Sequence, residues 1–592
     1  MANTKSNSKE IDGKFMRFIL VRALKRNSGR IFSREGKYVA TRTGCNNATS
    51  GGGLRQILSI AVCTAFLSSC IGGGVEKGQT GFVEGFFGGV AADDPRAALV
   101  GRDVLTAGGT AADAAVAMYF TLAVTLPSSA GLGGGGVCLV RDGKKGVTEA
   151  LDFTPVPGTG LLGPNARPAA TPGNPRGFFA LHAKYGGLRW ERLIAPAENF
   201  ARFGHQVSRA FVTDLQGVSS ALFKDRSSRI VFATKDGDAA GEGDFVTQIN
   251  LAATLSLLRS KGPGPLYQGP LARAFVEGAN DAGAGLTLED MRKTLPVWRK
   301  TLPVEVKGFT RKVAHFAPPP AAAGLVEAEI FSLLQTGGRY DGAGESVKPH
   351  VMADTQMRAF ADRGRWLSSD GTILTDPAEI LDEKHIEALG RSFSSDRKTT
   401  ALGVNPQLDA RQENTSGTGF VAIDQYGSAV TCAVTMNNLF GTGRIAGDTG
   451  ILIAARPGSN GRGPLSLGPV MVVNDHTKKL FFAGAAAGGV TAASSLSDVL
   501  AGTIIERKTL REAIERPRLH HSGIPDTVYY EPGYLEAGVT ALKERGHDVV
   551  AARTLGRVNA AFCAEGLPGA SETCEVMTDP RGYGLAVNAN EQ

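Results

Sequence analysis

Three stretches of the chain hold residue types that could do chemistry. Gly131-Leu132-Gly133-Gly134-Gly135-Gly136 formally satisfies G-x-G-x-x-G. That pattern cradles a dinucleotide pyrophosphate only when a strand precedes it and a helix N-terminus follows. Here the order is reversed, with an apolar helical stretch before the glycines and the strand-like Val137-Cys138-Leu139-Val140 after them, so the condition for nucleotide binding fails. His520-His521, beside Arg516-Pro517-Arg518, invites a metal hypothesis. Adjacent histidines on an extended segment face opposite sides, and no Cys, Asp or Glu stands at chelating spacing, so neither a metal nor a cofactor is expected. The third stretch is Asn414-Thr415-Ser416-Gly417-Thr418, directly before the apolar run Gly419 to Asp424. A hydroxyl becomes a nucleophile when a base lies beside it. Without one, such residues cap a turn.

The elements that must position these residues can be read from periodicity. Asp94-Pro95 opens a helix through Leu105, closed by Gly108-Gly109. Thr110 then serves as N-cap, with Asp113 three residues on, for the Ala-rich helix Ala111 to Val124. At about fourteen residues this is a core helix, too short to span a bilayer. Further helices are expected over Pro175 to Tyr185, Arg189 to Phe203, Gln248 to Lys261, Leu271 to Ala282 and His350 to Leu367. The C-terminal third changes character. Gly419 to Asp424 and Ala429 to Thr435 read as a hairpin around Gln425-Tyr426-Gly427, and Val470 to Asn474 with Leu480 to Ala483 as a second. Helices follow at Ala492 to Glu506 and Leu510 to Glu515. Strands bracketed by helices on both sides predict layered α/β packing and exclude a doubly wound parallel sheet.

The 592 residues, 42% apolar and 20% charged, suit a large globular core, and 77 glycines favour a sheet-rich protein with close backbone approaches. The net charge of +7 does not signal a nucleic-acid partner, because it is concentrated at one end. Residues 1–69 carry twelve Lys or Arg against three acids, a surplus of nine, which leaves the remainder at about −2. Those first 69 residues read as a leader: Arg55 precedes the apolar run from Ile57 to Leu67, which ends in Leu67-Ser68-Ser69-Cys70. The ending resembles a bacterial lipoprotein processing site with Cys70 as the lipidated first mature residue. The expected product is exported to the periplasm or cell envelope and touches membrane only through Cys70. Translation is expected to start near Leu54, since an export signal begins close to the start of a chain. Residues 70–84 are then a linker. Cys563 and Cys574 flank the turn-rich Gly566-Leu567-Pro568-Gly569 and either bridge a hairpin or stay as two buried thiols.

Several motifs, taken in order, resemble those of the gamma-glutamyltranspeptidases. They include Leu132-Gly133-Gly134-Gly135-Gly136 followed by Leu151-Asp152-Phe153, then Tyr185-Gly186-Gly187-Leu188-Arg189-Trp190, Leu286-Thr287-Leu288-Glu289-Asp290, Ala317-Pro318-Pro319-Pro320, Ala361-Asp362-Arg363 and Leu439-Phe440-Gly441-Thr442-Gly443. The likeness covers roughly residues 85 to 590. It implies the four-layer αββα sandwich of the N-terminal-nucleophile hydrolases, with mostly antiparallel sheets. It also implies a precursor that cuts itself into a large fragment, 85–417, and a small one, 418–592, which stay together as a heterodimer. The resemblance gives the nucleophile's place to Thr418, whose freed α-amine would be its base. Gly417 before it supplies the backbone freedom an acyl shift needs. Thr415 and Ser416 are alternative nucleophiles farther from the strand. By the same resemblance Thr435 hydrogen-bonds the nucleophile and Asn437 contacts substrate or the processed terminus. Gly488 and Gly489 form the oxyanion hole, and Ser466 meets the substrate's α-carboxylate.

The sequence departs from the family where the glutamyl group is read. Thr154 follows Asp152-Phe153 in place of an Arg, Leu467 replaces a second serine, and Ile453 to Gly458 carries no acid for the α-amine. Charge-assisted hydrogen bonds are roughly twice as strong as neutral ones, so this loss bears on substrate choice. Arg456 is the candidate replacement and Arg444 a weaker one. The expected reaction is transfer or hydrolysis of a γ-glutamyl or related acyl group from amides such as glutathione, with an amino acid, a peptide or water as acceptor. An acylase of the cephalosporin or glutaryl type and an inactive envelope homologue are the alternatives.

Overall fold

The computed structural model describes residues 85–308, 311–368, 372–399, 416–458 and 466–589. The leader, Cys70 and the linker expectations, together with Thr415, lie outside the described residues. Among the described residues, thirteen strands build the two large sheets. In chain order they are β1 (Gly88–Ala92), β2 (Gly135–Asp142), β3 (Val147–Phe153), β4 (Val297–Arg299), β5 (Leu302–Glu305), β6 (Lys312–Phe316), β7 (Thr418–Asp424), β8 (Ala429–Thr435), β9 (Val470–Asn474), β10 (Leu480–Ala487), β11 (Arg557–Leu567), β12 (Cys574–Met577) and β13 (Leu585–Asn588). The first sheet runs β13-β1-β7-β8-β2-β3-β4 and the second β12-β11-β10-β9-β6-β5, with neighbours antiparallel throughout.

Alternation along the strands sorts side chains into layers. On β7, Phe420 and Ala422 join the core beneath the helices on one side, while Val421 and Ile423 point between the two sheets to meet Met471, Val473, Ala483 and Ala561. All seven residues of β7 are buried, as a strand covered on both faces requires.

Helices cover both outer faces. On the first sheet lie α1 (Pro95–Thr106), α2 (Ala111–Thr125), α3 (Asn174–Tyr185), α4 (Trp190–Phe203), α5 (Arg209–Leu222) and α6 (Ile249–Lys261), and on the second α7 (Ala322–Gln335), α8 (Lys348–Trp366) and α9 (Val490–Leu500). The order of layers is therefore α, β, β, α, the sandwich the resemblance implied.

The start signals act as their chemistry dictates. Asp94 caps α1, its side chain accepting from the Arg96 N–H at 3.0 Å, and Thr110 with Asp113 forms a capping box on α2. Every residue of α2 is buried, as its composition demands. Two expectations needed adjustment. The second hairpin's return strand does not stop at Ala483; it continues to Ala487, because Ala483 to Ala487 pair with β11 from Ala561 to Arg557. The helix after Gly489 begins at Val490 and passes at Ala501–Ile505 into a π-helical turn.

Cys563 and Cys574 face each other across β11 and β12 and are joined, which resolves the two readings in favour of a disulfide. A second disulfide, Cys138 to Cys432, joins directly opposed residues of β2 and β8. Its partners lie 294 residues apart, so no local pattern announces it.

Candidate functional site

The centre of the first sheet brings Thr418 to the start of β7, opposite Val434 on β8. Its neighbour Gly419 must be glycine: a Cβ there would stand 2.9 Å from the backbone and side chain of Ala485 on the facing sheet. Thr418 is 1% exposed, and its Oγ donates to Asp93 Oδ2 at 2.9 Å. Asp93 follows directly on β1, whose last paired residue, Ala92, lies opposite Phe420. The antiparallel register therefore delivers Asp93 to the Gly419–Thr418 end of β7.

Thr435 and Asn437 arrive from β8. Thr435 Oγ donates to the Ser416 carbonyl and accepts the Asn437 N–H at 2.9 Å. In this form of the chain Thr435 therefore holds the residue before Gly417, and its hydroxyl is bonded there and not to Thr418 Oγ. Ser416 contributes that carbonyl. Asn437 has φ +60°, a left-handed conformation that Asn tolerates better than most residues. Its Nδ2 donates to the Ala455 carbonyl at 2.7 Å, and its buried Oδ1 has no hydrogen-bond partner among the described residues.

The Ile453 to Gly458 stretch is strapped across the site. Ala455 N–H donates to Met436 O at 3.1 Å and Arg456 N–H to Pro168 O at 2.8 Å. The glycine run supplies the room for this. A Cβ on Gly133 would stand 2.1 Å from Leu452 O, and one on Gly134 would stand 2.3 Å from Thr435 O. The backbone of this run is committed to protein partners, with Gly134 O accepting from Gly173 and Asn174 N–H at 2.8 and 2.9 Å.

The remaining expected residues stand at different removes. Gly488 and Gly489 follow the last residue of β10 and adopt φ of +139° and +65°, with Gly489 as the N-cap position of α9. Free N–H groups at such a helix start can receive negative charge. Arg456 lies beside Asn437's backbone partner Ala455, with its own side chain exposed. Ser466 is half-buried and leads into Leu467, which packs between the sheets. Arg444 is drawn away by Asp225, at 3.2 Å, and Thr154 turns its hydroxyl and N–H onto Asp152 Oδ1 at 2.8 and 3.0 Å.

Sequence reading missed the group behind Thr418. Asp93 Oδ1 accepts Asn559 Nδ2 at 2.8 Å, and the same Nδ2 donates to Gly419 O at 2.7 Å. The Arg557 guanidinium stands 3.7 Å from Asp93 Oδ2. Burial works to lower the Arg557 pKa, yet Asp93, Asp214 and Asp579 together hold it above its ordinary value, so the cation persists. Asp214 goes the other way, its carboxyl raised by burial. The Asp93-Asp94-Pro95 run carries one visible purpose, the helix cap, and that hides the other.

The histidines at 520 and 521 do diverge. His520 Nδ1 lies 2.6 Å from Ser494 Oγ, and burial lowers its pKa to about 3, while His521 Nε2 lies 3.2 Å from Asp526. Glu329, Asp362 and His385 place three potential ligand atoms within 4.8 Å of one another. Burial raises the Glu329 carboxyl well above its usual range, and Asp362 already bonds His385 Nε2 at 2.9 Å, so two of the three ligand atoms are engaged with each other.

Thr418 thus opens a central strand of an αββα sandwich, with Gly417 before it, at the place the sequence resemblance gave it. A family profile described as Gamma-glutamyltranspeptidase matches residues 97–589. The glutathione hydrolase proenzyme of Escherichia coli is 28% identical over 552 residues, covering 86% of this chain and 94% of its own. That of Pseudomonas aeruginosa is 28% identical over 560 residues, with 84% and 94% covered. Among solved structures, cephalosporin acylase from Bacillus halodurans superposes with a TM-score of 0.72 at 21% identity, covering 87% of this chain and 98% of its own. The last likeness speaks to the fold. The chain belongs to the gamma-glutamyltranspeptidase family.

Proposed function

We propose that the chain is a self-processing acyltransferase and amidohydrolase that cuts itself between Gly417 and Thr418. Thr418 then attacks a γ-glutamyl or related acyl amide, glutathione among them, and an amino acid, a peptide or water takes the acyl group. The two relatives above are named glutathione hydrolase proenzymes, which supports both the substrate class and the precursor. The observation that carries the reading is the Thr418 hydroxyl, buried at the rigid start of β7 and bonded to a carboxylate at 2.9 Å. Asn437 Oδ1, buried and without a hydrogen-bond partner among the described residues, is positioned to receive an ammonium group of substrate or of the new terminus. Gly488 and Gly489 supply the N–H donors for the tetrahedral oxyanion, and Ser466 and Arg456 take the substrate's carboxylate.

Export fits the two disulfides, which persist in oxidising compartments, and lipidation of Cys70 would anchor the product. Among the described residues no helix is long and apolar enough to cross a membrane. The substituted Thr154 and the acid-free Ile453–Gly458 strap favour a second substrate reading within the same chemistry, a glutaryl-type acyl group lacking the α-amine. Denaturing electrophoresis under reducing conditions tests the core of the proposal. Wild type should give two fragments, about 70–417 and 418–592, and Thr418→Ala should leave one uncut band. A single wild-type band, or a Thr418→Ala protein cut like wild type, overturns it. Turnover of a γ-glutamyl anilide against a glutaryl amide then decides the acyl group.

A further inference from the structure

Before the chain is cut, Thr418 has no free amine, because its nitrogen is the amide of the Gly417–Thr418 bond. The base the mature residue would carry on itself is therefore missing at the moment the first reaction needs one. The geometry supplies another. Asp93 Oδ2 lies 2.9 Å from Thr418 Oγ and accepts its hydrogen, the heavy-atom distance at which a proton can be transferred. Asp93 is 4% exposed as a residue, and its carboxylate is held at both oxygens, Oδ1 by Asn559 Nδ2 at 2.8 Å and Oδ2 by the Arg557 guanidinium at 3.7 Å. Asn559 is itself fixed to the Gly419 carbonyl at 2.7 Å, so one side chain ties the carboxylate to the strand that presents the hydroxyl. A cavity of about 230 Å³ opens beside Asp93, lined by Thr213, Asp214, Arg553, Arg557 and Tyr583, with room for water.

We propose that Asp93 is the catalytic base of self-cleavage in the precursor, an inference that rests on the reading of Thr418 as nucleophile. Asp93 Oδ2 takes the proton from Thr418 Oγ as that oxygen bonds the Gly417 carbonyl carbon. The proton passes to the Thr418 nitrogen as the carbon–nitrogen bond breaks, leaving Gly417 esterified to Thr418 Oγ and a free α-amine. Water then hydrolyses the ester, giving a carboxyl group on Gly417 and restoring the hydroxyl. No oxidant, metal or co-reactant other than water enters the balance. From that point the α-amine serves the hydroxyl, and Asp93 orients it.

The test follows the rate at which purified full-length precursor becomes two fragments. Asp93→Asn, folded by its near-ultraviolet circular dichroism, should be cut roughly 100-fold or more slowly than wild type, the range general-base catalysis covers. Asp93→Glu, which retains a carboxylate, should be cut faster than Asp93→Asn. Hydroxylamine cleaves esters, so it should not speed the cutting of Asp93→Asn, which stalls before the ester forms. Cutting of folded Asp93→Asn at the wild-type rate, or prompt cutting of it by hydroxylamine, overturns the assignment while leaving Thr418 as nucleophile. If Asp93→Asn fails to fold, Asn559→Ala replaces it: the carboxylate is kept but released, and cutting should slow at least tenfold, with an unchanged rate counting against the proposal. Thr418→Ala runs alongside, since its cutting would overturn the nucleophile itself.

Discussion

Asn437 shows how much one position can be asked to do. Its left-handed backbone turns the chain after β8, its N–H meets Thr435 Oγ, and its Nδ2 holds the strap at Ala455. That leaves Oδ1 buried with no hydrogen-bond partner among the described residues, a state that costs free energy unless a ligand repays it. Asn437→Ala should therefore still yield two fragments but lose about 1.5–3 kcal/mol of transition-state stabilisation, the usual worth of a hydrogen bond to a charged group. Steady-state kinetics should read this as a fall in kcat/KM of roughly 10- to 100-fold, and unchanged kinetics would remove Asn437 from the substrate. Thr418, Thr435 and Asn437 could be proposed from the sequence because each sits at or next to the end of a strand with a motif around it. Asp93 was not, because its partner Thr418 is 325 residues away and only the pairing of β1 with β7 joins them. The same reason hid Asn559, 466 residues from Asp93.

At the scale of elements, local chemistry spoke clearly where it was self-contained. The caps at Asp94 and Thr110 and the first hairpin were readable because turn and cap residues act within four positions of the chain. Strands β1 and β4 are short and gain their order from non-local partners, while β5 and β6 pair with each other but are short and only partly buried, so sequence pattern gave little hint of any of them. The extension of β10 through Gly484-Ala485-Ala486-Ala487 was hidden by small residues that look like a loop, yet they are required where two sheets and the Thr418 end of β7 crowd together. Asp113 links local and distant order. Its carboxylate accepts from Thr110 N–H at 2.9 Å within the capping box and also from Gly187 and Leu188 N–H at 2.9 and 3.1 Å, pinning the turn between α3 and α4 to the start of α2. Asp113→Ala leaves the Thr110 cap in place but removes the reciprocal bond of the capping box and the acceptor of the Gly187 and Leu188 N–H groups, a loss of about 1–3 kcal/mol. Scanning calorimetry should show a lower apparent Tm with the same fragments present; an unchanged Tm would mean that the loop is held otherwise.

At the scale of the molecule, the proposed cut at Gly417 divides the chain but not the fold. In the first sheet, β7 and β8 of the small fragment lie between β1 and β2 of the large one, and β13 closes the far edge against β1. In the second sheet the small fragment gives β9 to β12 and the large one β5 and β6, joined where β9 pairs with β6. The fragments cannot separate without breaking both ladders, so they should co-elute under native conditions. The Cys138–Cys432 disulfide adds a covalent tie, since residue 138 belongs to the large fragment and residue 432 to the small one, whereas Cys563–Cys574 lies wholly within the small fragment. Denaturing electrophoresis of processed wild type without reductant should therefore give one band, and reductant should resolve it into two. Cys138→Ser with Cys432→Ser should give two bands without reductant and still co-elute when folded, because the sheets alone hold the halves together. Two bands from unreduced wild type would mean that the thiols facing each other across β2 and β8 stay reduced where this protein matures. The oxidising compartment inferred from the cysteines would lose its main structural support with them.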